Sequence, residues 1–118
     1  WNERFEADFG YKVKRPSQGV LQDVHWAAGA FGYFPTYTLG NVYAGCLFQK
    51  MNVDIPNLDD VLSTGDLSQA TAWLRENIQV HGSLFEPRAT IEQAIGAEIT
   101  VKPFLDYIEK KYRNIYDL

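Results

Sequence analysis

The sequence predicts an all-α fold, and three observations carry that expectation. Apolar residues recur at helical spacing along most of the chain, no stretch alternates apolar and polar residues as a half-buried strand does, and glycines and prolines fall where helices end and begin. At 118 residues the chain is one domain's worth, long enough to bury roughly two thirds of the surface that its unfolded form exposes. With no internal repeat or low-complexity run, residues 1–118 read as a single unit.

Taken in order, Trp1, Phe5 and Phe9 form an i,i+4 stripe closed by Gly10, as a helix C-terminus favours. That stripe starts at the first residue with no methionine and no cap, so the chain reads as cut from something longer. Tyr11 to Gln18, with Lys12, Lys14, Arg15 and Pro16, is a connection. Residues 19–28 suit a short helix with Val20, Leu21, Val24 and Ala27 or Ala28 on one side. Pro35 stands where a helix's first turn needs no N–H, and that helix runs through Tyr43 and Leu47 to about Met51. Gly40 and Ala44, one turn apart, leave it a shallow face for another backbone. Asn57 caps Leu58–Leu62, and Gly65 breaks that helix. Asp66-Leu67-Ser68-Gln69 has the spacing of a capping box, opening a helix with Leu67, Ala70, Leu74 and Ile78 that His81-Gly82-Ser83 ends. Pro87 starts the next helix and Gly96 ends it. Thr100 then caps a last helix whose stripe is Phe104, Leu105, Ile108, Tyr112 and Ile115.

Composition narrows the function classes. With 11 basic and 15 acidic residues the formal charge is -4, which supplies no counterion-release drive toward nucleic acid. Cys46 is the lone cysteine, so neither an internal disulfide nor a thiolate metal cluster can form. No apolar run approaches the roughly 20 residues of a membrane helix, and the N-terminus lacks the order of a signal peptide. These features give an expectation of a cytoplasmic protein with no membrane partner.

The stretch Gly19–Asn41 stands apart. It threads Trp26, Phe31, Tyr33, Phe34 and Tyr37 through Gly29, Gly32 and Gly40. Such rings are wasteful in a surface loop, and each such glycine costs roughly 1 kcal/mol inside a helix. A site wall satisfies both. His25 is its sharpest candidate, because an imidazole can ligate metal, move a proton or donate to an oxyanion; an isolated His is more often a satisfied structural residue. On a helix, Gln22 would share a face with His25, whereas Asp23 would sit on another face and orient it poorly. Asp23 serves equally as a helix-terminal or salt-bridge partner. Tyr33 and Tyr37 flank Pro35, beside the unpaired N–H groups of a helix N-terminus that favour a carboxylate or oxyanion; the bland reading is two core aromatics. His81 reads as a helix-ending residue that suits the dipole. Neither H-E-x-x-H nor G-x-S-x-G occurs.

Gly19-Val-Leu-Gln22-Asp23-Val-His25-Trp26 matches at every fixed position the G-x-x-Q-D-x-H-W motif of the thermostable carboxypeptidases, the M32 type of zinc metallopeptidase, which the chain therefore resembles. Phe31-Gly32-Tyr33-Phe34-Pro35-Thr36-Tyr37 and Leu39-Gly40-Asn41 continue the likeness, and Asn77-Ile78, His81-Gly82, Phe104-Leu105, Tyr107 and Lys111-Tyr112 extend it to the closing helices. Cys46 and Gln79 depart from the family's pattern and receive no role.

The resemblance implies a mainly helical metallopeptidase fold, of which this chain is the C-terminal portion. The activity it implies is removal of C-terminal residues from peptides by a zinc enzyme that works as a homodimer. The family's zinc lies in H-E-x-x-H and a downstream Glu, which these residues do not include, so no metal and no activity are expected of the 118 residues alone. Gln22, Asp23 and Trp26 match the motif as substrate-binding residues. By analogy with other helical zinc peptidases, His25 with Tyr33 or Tyr37 would stabilise the oxyanion or grip the substrate. The alternative is a non-catalytic helical binding or scaffold domain derived from the same family.

Overall fold

A computed structural model describes residues 1–118 and contains helices and turns with no strand, as the sequence predicts. The chain divides into two compact units, Trp1–Thr36 and Tyr37–Leu118.

In the first unit, α1 (Asn2–Phe9) ends at Gly10, whose φ of 77° places it in the left-handed region and whose N–H reaches the Glu6 carbonyl. The i,i+4 stripe becomes a ladder of rings, with Trp1 stacked on Phe5 at 4.9 Å, Phe9 at 4.6 Å from Phe5, and Tyr11 edge-on to Phe5 at 5.2 Å. Single 3₁₀ turns follow at Pro16–Gln18 and Val20–Gln22. Gly19 between them is buried, and a Cβ there would meet the Trp1 ring and the Val13 side chain, each at 2.8 Å.

The helix expected over residues 19–28 does not form. After Val20–Gln22 the backbone turns extended at Asp23 (φ -77°, ψ 126°), and a single turn follows from Val24. The cause is local: the Asp23 carboxylate takes the backbone N–H of His25 at 2.8 Å, a hydrogen bond that competes with helix continuation. Gly29 (φ 75°) closes the turn, its N–H reaching the Trp26 carbonyl at 3.0 Å while that of Ala30 reaches back to the His25 carbonyl at 2.7 Å. This pair of bonds is a Schellman closure, with glycine at its left-handed position.

The second unit contains nearly all of α2 (Pro35–Asp54), then α3 (Leu58–Ser63), α4 (Ser68–Asn77), a 3₁₀ turn at Gln79–His81, α5 (Pro87–Ile95) and α6 (Lys102–Tyr116). Pro35 opens α2 and Pro87 opens α5, and left-handed Gly96 (φ 69°) ends α5, as expected. Met51, Leu58, Trp73 and Ala94 form the buried cluster, with Leu47, Phe48, Ile55, Leu62, Ala70 and Leu74 packed around it. Leu58 is 1% exposed, and burying a leucine side chain of this kind stabilises by roughly 2 kcal/mol. Trp73 is buried with its polar atom satisfied, its Nε1–H donating to Asp54 Oδ2 at 2.8 Å. Asp54 also accepts from Lys50, and these two donors hold its carboxyl below the usual range.

Three local expectations change. The close approach on α2 falls at Gly45 rather than Gly40: a Cβ at Gly45 would lie 2.7 Å from the Phe104 Cα, whereas Gly40 has nothing within 4 Å. Asp66 accepts the Ser68 N–H at 2.8 Å, but the helix starts at Ser68, a residue later than a box capped by Asp66 requires. Thr100 does not cap α6, which starts at Lys102; its carbonyl instead accepts the Cys46 thiol at 3.3 Å.

Candidate functional site

The first unit gathers the chemistry of the aromatic stretch around His25. The ring Nδ1 lies 2.9 Å from Asp23 Oδ1, the same oxygen that accepts the His25 backbone N–H. An ionised carboxylate only accepts hydrogen bonds, so Nδ1 is the donor and the neutral ring carries its lone pair on Nε2. The backbone N–H of His25, followed by its ring, holds the Asp23 carboxyl below the ordinary range. The imidazole is 24% exposed and the Asp23 side chain 49%, so the pair meets solvent on the carboxylate side. Tyr33 stacks near-parallel to the imidazole at 5.7 Å, and Phe34 packs against it at 4.7 Å.

Backbone geometry explains why these groups meet. Asp23 and His25 are two residues apart, the spacing of an Asx turn, in which a carboxylate accepts the N–H two positions on. Left-handed glycines at 29 and 32 then fold the chain back, and the Thr36 N–H bonds to the Tyr33 carbonyl at 3.1 Å as α2 begins. Tyr33 and Phe34 therefore lie at the mouth of α2, against His25.

The sequence-predicted residues divide. His25, Asp23 and Tyr33 converge. Gln22 does not pair with His25 along one wall: its side-chain amide donates to the Ser17 carbonyl at 3.1 Å, tying the motif to the preceding turn. With no helix over 19–28, the shared face that would have joined Gln22 and His25 does not exist, and the extended step at Asp23 makes Asp23 the near neighbour instead. Trp26 stacks on Phe31 at 5.9 Å, with both rings largely exposed. Tyr37 stands in the first turn of α2 and is half exposed. Phe34 enters the sequence reading only as one ring of the stretch, with no role beside His25. The Asp-x-His spacing was the available signal for the ring pairing. His81, half-buried in the 3₁₀ turn after α4, meets the Phe85 ring at 5.8 Å. No three His, Cys, Asp or Glu side chains converge as metal ligands, so these residues do not by themselves fit a metal. No helix is long and apolar enough to cross a membrane.

The sequence pattern described as carboxypeptidase Taq (M32) metallopeptidase matches residues 1–112. This chain belongs to that family. Among M32 relatives, the thermostable carboxypeptidase 1 of Thermus thermophilus is 43% identical over 116 residues, which are 98% of this chain and 23% of the relative. Carboxypeptidase 1 of Bacillus subtilis is 41% identical over the same proportions. The crystal structure of the M32 carboxypeptidase from Deinococcus radiodurans superposes with a TM-score of 0.83 at 34% identity, covering all of this chain and 24% of that one. The chain thus spans about a quarter of the length of the M32 proteins it matches, and its helical fold is theirs.

Proposed function

We propose that residues 1–118 are the C-terminal part of a zinc-dependent M32 metallocarboxypeptidase that removes C-terminal amino acids from peptides, and that Gln22–Tyr37 forms a substrate-facing wall of its cleft. The supporting observation is the cluster in which Asp23 holds the His25 ring against Tyr33 and Phe34. Residues outside these 118 hold the zinc, which supplies Lewis-acid chemistry to the peptide carbonyl. His25, with Tyr33 or Tyr37, faces the substrate oxygen that becomes negative. Gln22 and Trp26 shape the wall, Gln22 by bracing the turn that leads into it. The enzyme acts as a homodimer in the cytoplasm, and the 118 residues alone neither bind zinc tightly nor turn over peptide.

The test is His25→Ala in the full-length enzyme. Loss of one oxyanion donor lowers kcat by about 10²-fold, with zinc content near normal. Loss of zinc in that variant would make His25 a ligand or a support for one, and unchanged turnover would remove it from the cleft. Stoichiometric zinc or peptidase activity in the isolated chain would overturn the assignment of the metal to residues outside it.

A further inference from the structure

We infer that Gly19 is a positioning residue for the reaction: the Trp1 ring and the Val13 side chain seat on it, and through this seat α1 fixes where the Asp23–His25 turn stands. The inference rests on the reading of His25 as a substrate-facing group. Every other residue of Trp1–Thr36 is exposed or half-buried, so Gly19 is the one buried point of that unit. It is buried because it lacks a Cβ. Built there, a Cβ would lie 2.8 Å from Trp1 Cζ3, 2.8 Å from Val13 Cγ1 and 3.2 Å from Trp1 Cη2. Neither neighbour gives way readily. The Trp1 ring would have to leave its stack on Phe5 at 4.9 Å, a ring that Phe9 and Tyr11 back in turn, and a valine side chain is stiff at χ1.

From Gly19 the chain reaches the site through a short, cross-linked step. The Gly19 N–H bonds to the Pro16 carbonyl at 3.0 Å, its carbonyl accepts the Gln22 N–H at 2.9 Å, and the Gln22 side-chain amide donates to the Ser17 carbonyl at 3.1 Å. The next residue is Asp23, whose carboxylate accepts the His25 N–H. A push on Gly19 is therefore delivered to the turn, with little slack to absorb it.

Gly19→Ala in the full-length enzyme supplies the push. Carbon atoms prefer about 3.5–4.0 Å, so contacts of 2.8 Å move the turn away from α1 by roughly 1 Å. A misplacement of that size can cost about 10²-fold in rate. The expected result in folded enzyme is a kcat lower by about 10- to 100-fold, with KM changed little and zinc content near native. Crystal structures of the native and variant enzymes, superposed on α1, should show the Asp23–His25 backbone displaced by roughly 1 Å. A glycine needed for stability alone would lower the melting temperature and leave the kcat of the folded enzyme unchanged. Adding Trp1→Phe and Val13→Ala removes all three obstructing atoms, so the triple variant should regain most of the lost kcat and return the turn to its place. Native kcat in Gly19→Ala, a turn still in place, or a loss that the triple variant does not recover would each overturn the inference. Should Gly19→Ala alone yield no folded enzyme, the triple variant decides: folded and active enzyme upholds the seat, and its failure to fold or turn over defeats it. If His25→Ala turns over at the native rate, it is the reading of His25 that fails, and the seat is then judged by the displacement of the turn and its reversal alone.

Discussion

Replacing Gly45 by alanine and Gly40 by alanine makes the same chemical change twice on one helix, with opposite expected signs. At Gly45 the new methyl would lie 2.7 Å from the Phe104 Cα, 2.8 Å from its backbone N and 2.9 Å from its Cβ. Carbon atoms prefer about 3.5–4.0 Å, so α2 and α6 must part by roughly 1 Å, and the obstructing atoms are mainly backbone, which cannot rotate away. Overpacking of this kind costs about 1–3 kcal/mol, against roughly 1 kcal/mol gained from alanine's helix preference. A net loss of up to about 2 kcal/mol follows. At Gly40 nothing lies within 4 Å, so the helix preference acts unopposed and stabilises by roughly 0.5–1 kcal/mol. At about 4–8 °C per kcal/mol for a domain of this order of size, thermal melts and urea titrations of the two variants should separate clearly. A Gly45→Ala variant as stable as Gly40→Ala would refute the close crossing of α2 and α6.

Other expectations follow from single contacts. Leu58→Ala should cost about 2–5 kcal/mol in urea titrations, because the side chain is fully enclosed in the buried cluster. Trp73→Phe should cost about 1 kcal/mol or more by leaving Asp54 without its indole donor, and combining it with Asp54→Asn should cost less than the two changes summed. Gly29→Ala should destabilise by about 1–2 kcal/mol, read as faster amide exchange around residues 24–30, because alanine resists the left-handed backbone there. Acid should weaken the fold. Asp23, Asp54, Asp66 and Glu92 all have carboxyls held below their unfolded values by hydrogen bonds, from His25, Lys50 with Trp73, Ser68, and Arg88 respectively. Their contribution is complete above the unfolded pKa values near 4 and is lost as pH falls through the lower native ones. The melting temperature should therefore drop below about pH 5, less steeply in Asp54→Asn.

Helix punctuation was largely legible in the residues. Gly10, Pro35, Pro87 and Gly96 each stop or start a helix where their backbone preferences direct. Helical spacing also marks Ala70, Leu74 and Ile78 as apolar positions of one helix face, and all three pack on the buried cluster. Long-range contact was not legible. Gly40 and Gly45 offer the same bare surface in the sequence, and only the path of α6 selects Gly45. The stripe on α6 marks Phe104, Leu105, Ile108, Tyr112 and Ile115 alike, yet Phe104 and Ile108 are half-buried while the others stay exposed, since spacing shows a face and not its partner. At the site, a helix over 19–28 would put Asp23 on another face from His25, whereas the structure brings the Asp23 carboxylate to the His25 ring. The spacing of apolar residues suggests that helix, and a side-chain hydrogen bond at Asp23 competes with it.

The shared oxygen of Asp23 makes the His25 amide a reporter. Because Oδ1 accepts both the main-chain and the ring hydrogen of one residue, any departure of the Asp23 carboxylate breaks both bonds at once. Exchange of that single amide proton reports how often the carboxylate leaves the turn, with no substrate, metal or turnover needed. The integrity of the Asp23 turn can thus be followed as a local unfolding equilibrium.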